Sequence, residues 1–166
     1  MNIIIKDTIP NKGRGDNDFN LFYFKDIEIV DNSSGLYYCN ILIQTWSFKV
    51  ELFDVSITEI EFIKIKNDII SFLEDKLSFF EFEQMEALFK IRIEKNIISK
   101  HSFKLFIEAR DLYYGSMKIE TSIFYDSLKE LIKQLNENIK HIQKELWSMS
   151  NQEINEYLIG KWRQEG

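Results

Sequence analysis

Three runs in the middle of the chain alternate an apolar set with a mostly charged one, with Phe106 and Ser122 as exceptions on the charged side. Phe89, Ile91 and Ile93 alternate with Lys90, Arg92 and Glu94. Phe103, Leu105, Ile107 and Ala109 alternate with Lys104, Glu108 and Arg110. Met117, Ile119, Thr121 and Ile123 alternate with Lys118 and Glu120. A period of two sends successive side chains to opposite faces of a strand, so each run has one greasy face and one charged face. Antiparallel strands covered on one side carry that pattern, whereas parallel strands are buried on both faces. Mixed charges on the open face pair across strands and blunt edge-to-edge association. The greasy face needs a cover.

Amphipathic helices supply it. Ser56-Ile57-Thr58-Glu59 fits a capping box, and the apolar set from Ile60 to Leu73 covers half of a helix over 57–75. Ser127-Leu128-Lys129-Glu130 fits a second box, opening a helix over 127–146 with Leu128, Leu131, Leu135, Ile139, Ile142 and Leu146 on one face. Ser150-Asn151-Gln152-Glu153 fits a third, ahead of a short helix carrying Ile154, Tyr157 and Leu158. Upstream, 19–30 and 37–53 are strand-like. In the latter the apolar phase moves from Cys39, Ile41 and Ile43 to Trp46, Phe48, Val50 and Leu52, which places a bulge or turn near Gln44-Thr45. "SFFEFEQME" serves as a connection and "NKGRGDND" (11–18) as a mobile polar segment. One Pro and six Gly favour long regular elements. The expectation is an α+β fold in one domain, 1–166. It has a single antiparallel sheet of six or seven strands, two amphipathic helices on its apolar face and a short C-terminal helix. Residues 147–166 form a C-terminal extension. Strands followed by a capped helix occur twice, a hint of duplication.

Catalytic chemistry has little to stand on. The chain holds no Gly-rich phosphate loop, no His-Glu-x-x-His and no Gly-x-Ser-x-Gly. One Cys and two His do not make a usual zinc set. His141 falls on the polar side of the second helix and His101 in a polar turn, where both are solvated; Cys39 reads as a small core residue. No catalytic, cofactor-binding or metal-binding residue is expected. "MNIIIKDTIP" lacks the features of a signal peptide, and no apolar run approaches the ~20 residues of a membrane span, so the expected compartment is the cytoplasm. Fourteen Phe among antiparallel strands raise the question of RNA, but those aromatics mostly take core-facing positions and a net charge of −6 repels phosphate. Neither nucleic acid nor membrane is an expected partner.

The charge is unevenly placed. Residues 51–86 carry ten acids against Lys64, Lys66 and Lys76, a net −7, while the flanking parts are close to neutral. Glu61, Asp68 and Asp75 share one stripe of the first helix, and Glu81, Glu83 and Glu86 follow closely in sequence. Such a stretch either keeps a solvated face wet or attracts a basic protein partner. The alternative contact surfaces are the charged sheet face around Arg92, Lys104 and Arg110, and the tail residues Trp147 and Trp162, since aromatic anchors often dominate binding energy.

The order of elements resembles the WapI-type immunity proteins over roughly residues 19–142. The likeness rests on "FYFKDIEI" and "YCNILIQ", on "WSFKVELFDVSITEIEFIKIKNDIISFLE", and on "LFKIRIEK", "FKLFIEAR" and "FYDSLKELIKQL". In the last of these Phe124, Asp126, Leu128 and Leu131 match the family's strand-to-helix junction. Gln44-Thr45 stands where that family often has a Gly pair, and 147–166 has no counterpart. The resemblance implies a bacterial cytoplasmic antitoxin that blocks the C-terminal domain of a nuclease-type toxin by direct binding. The competing expectation is a non-catalytic structural or scaffold domain that homo-oligomerises.

Overall fold

The computed structural model describes residues 3–7, 19–31, 35–44, 49–111, 115–138 and 142–165. Its elements are β1 (Ile3–Asp7), β2 (Phe19–Asp31), β3 (Leu36–Gln44), β4 (Lys49–Thr58), α1 (Glu59–Leu73), β5 (Phe79–Glu83), β6 (Phe89–Lys95), β7 (Ser102–Asp111), β8 (Gly115–Phe124), α2 (Tyr125–Asn138), α3 (Lys144–Ser148) and α4 (Asn151–Glu165). The strands form two four-stranded antiparallel sheets, ordered β1-β2-β3-β4 and β5-β6-β7-β8. This overturns the single sheet of six or seven strands. Alternation fixes which face of a strand is buried but not which strands are neighbours, and α1 separates β4 from β5 where one sheet was expected to continue. "FFEFE", expected to be a connection, is the edge strand β5 of the second sheet, with Phe80 and Phe82 buried. Each sheet is followed by a helix, so the four-strands-then-helix unit occurs twice.

The two sheets share one core. Tyr37, Cys39, Ile41, Val55 and Ile57 of the first join Phe80, Ile91, Leu105 and Ile123 of the second in a single buried cluster. Helix α1 stitches them together: Phe62 meets Tyr37 of β3 edge-on at 5.6 Å, and Phe72 meets Phe103 of β7 at 4.9 Å. Such aromatic contacts add about 0.5–1.5 kcal/mol each beyond the area they bury. Helix α2 buries Leu128, Leu131 and Leu135 and lies across β1.

The start of α1 differs from expectation. Its N-cap is Thr58, whose hydroxyl accepts from Glu61 N at 3.2 Å while the Glu61 carboxylate accepts from Thr58 N at 2.8 Å. Ser56 lies inside β4 and is buried. The helix cannot begin earlier because Ser56, Ile57 and Thr58 are still paired with Tyr38, Tyr37 and Leu36 of β3, a ladder that Glu59 N closes by donating to Gly35 O at 2.8 Å. Gly35 is required there: its φ is +59°, and a Cβ would lie 2.7 Å from Glu59 Cδ. The second expected box is also displaced, since Ser127 is buried in the first turn of a helix that starts at Tyr125. The third is present, with Ser150 N on the Glu153 carboxylate at 2.7 Å and Glu153 N on Ser150 Oγ at 3.3 Å. It opens a helix of fifteen residues, not a short one. The expected helix 127–146 divides into α2 and α3, and His141 and residues 11–18 lie outside the described residues.

The change of apolar phase in 37–53 follows from the hairpin expected near Gln44-Thr45. Strand β3 ends at Gln44, which pairs with Lys49, and Ile43 pairs with Val50, so odd positions of β3 face even positions of β4. Cys39 pairs with Val55 and Ile41 with Leu52, so β4 has one extra residue there. Asp54 takes φ of 53° and its N–H donates to Asn40 Oδ1 at 3.2 Å. That bulge, at Phe53-Asp54, is a second break, which returns the buried set of β4 to odd positions, Val55 and Ile57; Thr45 is outside the described residues. Among the described residues, no helix is long and apolar enough to cross a membrane.

Candidate interaction surface

The open face of the second sheet is a ladder of paired charges. Register places Glu81 beside Arg92, and Glu83, Lys90, Glu108 and Lys118 in one row. Arg92 binds Glu94 at 2.6 Å and Glu81 at 3.0 Å, Lys90 binds Glu81 at 3.0 Å, and Arg110 binds Glu108 at 3.0 Å and Glu83 at 3.4 Å. The Arg92 guanidinium also lies 4.0 Å from the centre of the Phe79 ring. Hydrogen bonds from Lys90 and Arg92 hold the Glu81 carboxyl below its ordinary range, and Arg110 does the same for Glu108. Of the three basic residues named for this face, Arg92 and Arg110 are thus engaged within the ladder. Lys104 is exposed, with no ion-pair partner among the described residues. Exposed pairs of this kind contribute little stability, and they leave the face nearly neutral.

The six acids do not form one stripe in space. Asp68 accepts from Asn151 Nδ2 at 2.7 Å, and burial pushes its carboxyl above its ordinary range. It belongs to a polar clasp in which Asn67 Nδ2 donates to Met149 O at 2.9 Å and to Asn151 Oδ1 at 3.0 Å. In the same clasp Lys66 donates to Trp147 O and sits 4.3 Å over the Trp147 ring. Trp147 is half-buried, and its indole N–H donates to Asn136 Oδ1 at 2.9 Å; it pins the tail to α1 and α2. Asp75 pairs with Lys95 just beyond the end of α1, whose last residue, Leu73, is about 18 Å from Glu61 by helix rise. Glu81 belongs to the sheet ladder. Trp162, by contrast, is 78% exposed on α4.

The fold brings Glu61 and Glu86 to the β5–β6 turn, while Glu83, like Glu81, belongs to the sheet ladder through Arg110 and Lys90. Gln84 is 1% exposed and organises the turn: its Nε2 donates to Ser56 O at 2.9 Å, and its Oε1 accepts from Glu86 N at 3.1 Å and Leu88 N at 3.2 Å. Met85, next in sequence, is turned outward and 71% exposed, while its N–H donates to Glu61 Oε1 at 3.1 Å. Glu61 thus serves both the α1 cap and this turn. Glu86 is exposed and takes a 3.4 Å contact from Gln84 Nε2. A flexible, polarisable side chain is therefore held on a fixed turn beside two carboxylates, Glu61 and Glu86. Sequence reasoning missed Met85 and Gln84, although Phe80, Phe82 and Gln84 continue one alternating buried set.

Among the described residues, no group of three or more His, Cys, Asp or Glu is placed to hold a metal ion. Cys39 is buried, donates to Val55 O at 3.6 Å, and has its thiol pushed up to about 12 by burial, so it is no nucleophile near neutral pH.

No family model matches the chain, and no curated protein does. A solved structure with a similar course is that of the Trypanosoma bruciei MRP1/MRP2 proteins. It is 8% identical, with a TM-score of 0.46 over 82% of this chain and 81% of that one. So slight a likeness has no bearing on function.

Proposed function

We propose that the protein is a non-catalytic bacterial immunity protein, an antitoxin of the cytoplasm that neutralises a nuclease-type toxin by binding its C-terminal domain. The observation that carries this reading is Met85, exposed on a pre-ordered turn and flanked by Glu61 and Glu86. Nucleases that grip RNA carry basic active-site surfaces, and carboxylates facing them mimic phosphate and steer association. The Debye length at physiological salt is about 8 Å, so acids gathered at one turn act together while Asp75, at the other end of α1, adds little. Met85 supplies the apolar anchor that a pair of carboxylates lacks on its own. Neither nucleic acid nor a membrane is a partner in this reading. The test is co-purification of the tagged protein with the products of the genes flanking it in its native host. Retention of a basic toxin domain, lost on Met85→Ala with Glu86→Lys, supports the reading. Retention undisturbed by that pair of substitutions removes this surface from consideration.

A further inference from the structure

The last helix carries an apolar stripe that no described part of the chain covers. Ile154 on α4 is fully buried and Leu158 is partly so, but Ile159 is 54% and Trp162 78% exposed. With Asn155, Leu158 and Arg163 they line a shallow groove of about 610 Å³. These positions follow one another at steps of three and four, so they form one stripe along the helix. Scattered exposed apolar residues are ordinary, but a Trp and an Ile on adjoining turns make a patch.

The charges beside the stripe indicate what fits it. Glu156 stands in the first half of α4 and Arg163 in the second, whereas Glu153 caps the helix with Ser150 and Lys161 lies on the α1 side, near Glu59. Glu156 and Arg163 are seven residues apart on the same side of the stripe, with Ile159 between them. Arg163 has no ion-pair partner among the described residues, and Glu156 accepts from Gln152 of its own helix at 3.0 Å. A basic partner would meet Arg163, and an acidic one Glu156, so a surface of a single sign does not suit it. Turned end for end, the helix is complementary to itself. A parallel pairing would oppose like charges.

We propose that α4 pairs antiparallel with the α4 of a second copy of this chain, about a twofold axis near Ile159. Trp162 of each copy then packs on the other's stripe, and two Glu156–Arg163 pairs close the contact symmetrically. One patch serving both copies is the arrangement a twofold dimer requires. A fifteen-residue helix is about 22 Å long and offers less than the ~800 Å² per partner of a stable interface. The dimer is therefore a reversible one, formed at micromolar concentration. It does not rest on the toxin-binding reading, which uses the β5–β6 turn.

Sedimentation velocity from about 1 to about 300 µM tests it. The weight-average mass should climb from the single-chain 19.9 kDa toward twice that value. Trp162→Ala should weaken association at least ~10-fold. Glu156→Arg and Arg163→Glu should each weaken it, and the two together should restore it, which also controls for folding of the single variants. A mass that stays at one chain throughout overturns the proposal. So does a dimer indifferent to Trp162→Ala, or one that the double charge exchange fails to recover, since self-association would then use another face.

Discussion

Replacing Ile154 by Ala probes whether the C-terminal helix belongs to the folded unit or merely rests on it. Ile154 is fully buried and is the residue through which α4 enters the core. The change removes three carbons, about 2.4 kcal/mol of transfer free energy at ~0.8 per carbon. A cavity term is added to the extent that the site fails to collapse, and measured losses for such truncations run about 2–5 kcal/mol. Ile154 lies at the margin, where α4 is free to shift inward, so the expected loss is about 2.5–3.5 kcal/mol. Equilibrium urea unfolding followed by circular dichroism reads it, with the slope m unchanged if α4 melts together with the two sheets. The clasp of Lys66, Asn67 and Asp68 on Trp147, Met149 and Asn151 argues for that single transition. A loss below about 0.5 kcal/mol would mean that α4 contributes nothing to the core, and the packing argument would fail.

Two further substitutions follow from the same physics. Gln84→Ala strips partners from Ser56 O and from two turn amides, so it should cost about 1–3 kcal/mol by urea titration; an unchanged midpoint would mean the turn is not held as described. Asp68→Asn keeps an oxygen facing Asn151 but removes a carboxyl that burial has pushed above its ordinary 3.8. A raised carboxyl binds its proton more tightly in the folded state, so wild-type stability declines as pH rises from 3.8 through the folded value. The variant should therefore gain at pH 7 and lose that advantage toward pH 4; an equal gain at both would rule out the charge as its cause.

Much of the fold is legible in the chain because it is written in periods. The alternation of 89–95, 102–111 and 115–124 gives β6, β7 and β8 and their buried faces, and the apolar set from Ile60 to Leu73 gives α1. The failures occur where two local signals compete. Ser56–Glu59 and Thr58–Glu61 are both capping boxes on paper, and the choice is made by pairing with β3, a ladder closed at Gly35 O, which comes from a distant turn. "FFEFE" is too short for its rhythm to stand out beside Phe79, and partition into two sheets depends on pairing that no period encodes. For the site, two of the six acids meet at the turn and four do not, because the sheet ladder, helix rise and the clasp on the tail separate residues that sequence spacing aligns. Met85 carries no signal of its own; its exposure follows from burial of Gln84, a polar residue continuing an apolar alternation.

The central claim is that an acidic turn centred on Met85 grips a basic toxin domain. Its most direct test is the dissociation constant of the captured domain for the wild type and for Met85→Ala/Glu86→Lys, with thermal melting of both forms recorded alongside. Loss of an apolar anchor and reversal of a steering charge together predict binding at least ~100-fold weaker with melting unchanged. Affinities within ~3-fold of each other, on an intact fold, would contradict the account.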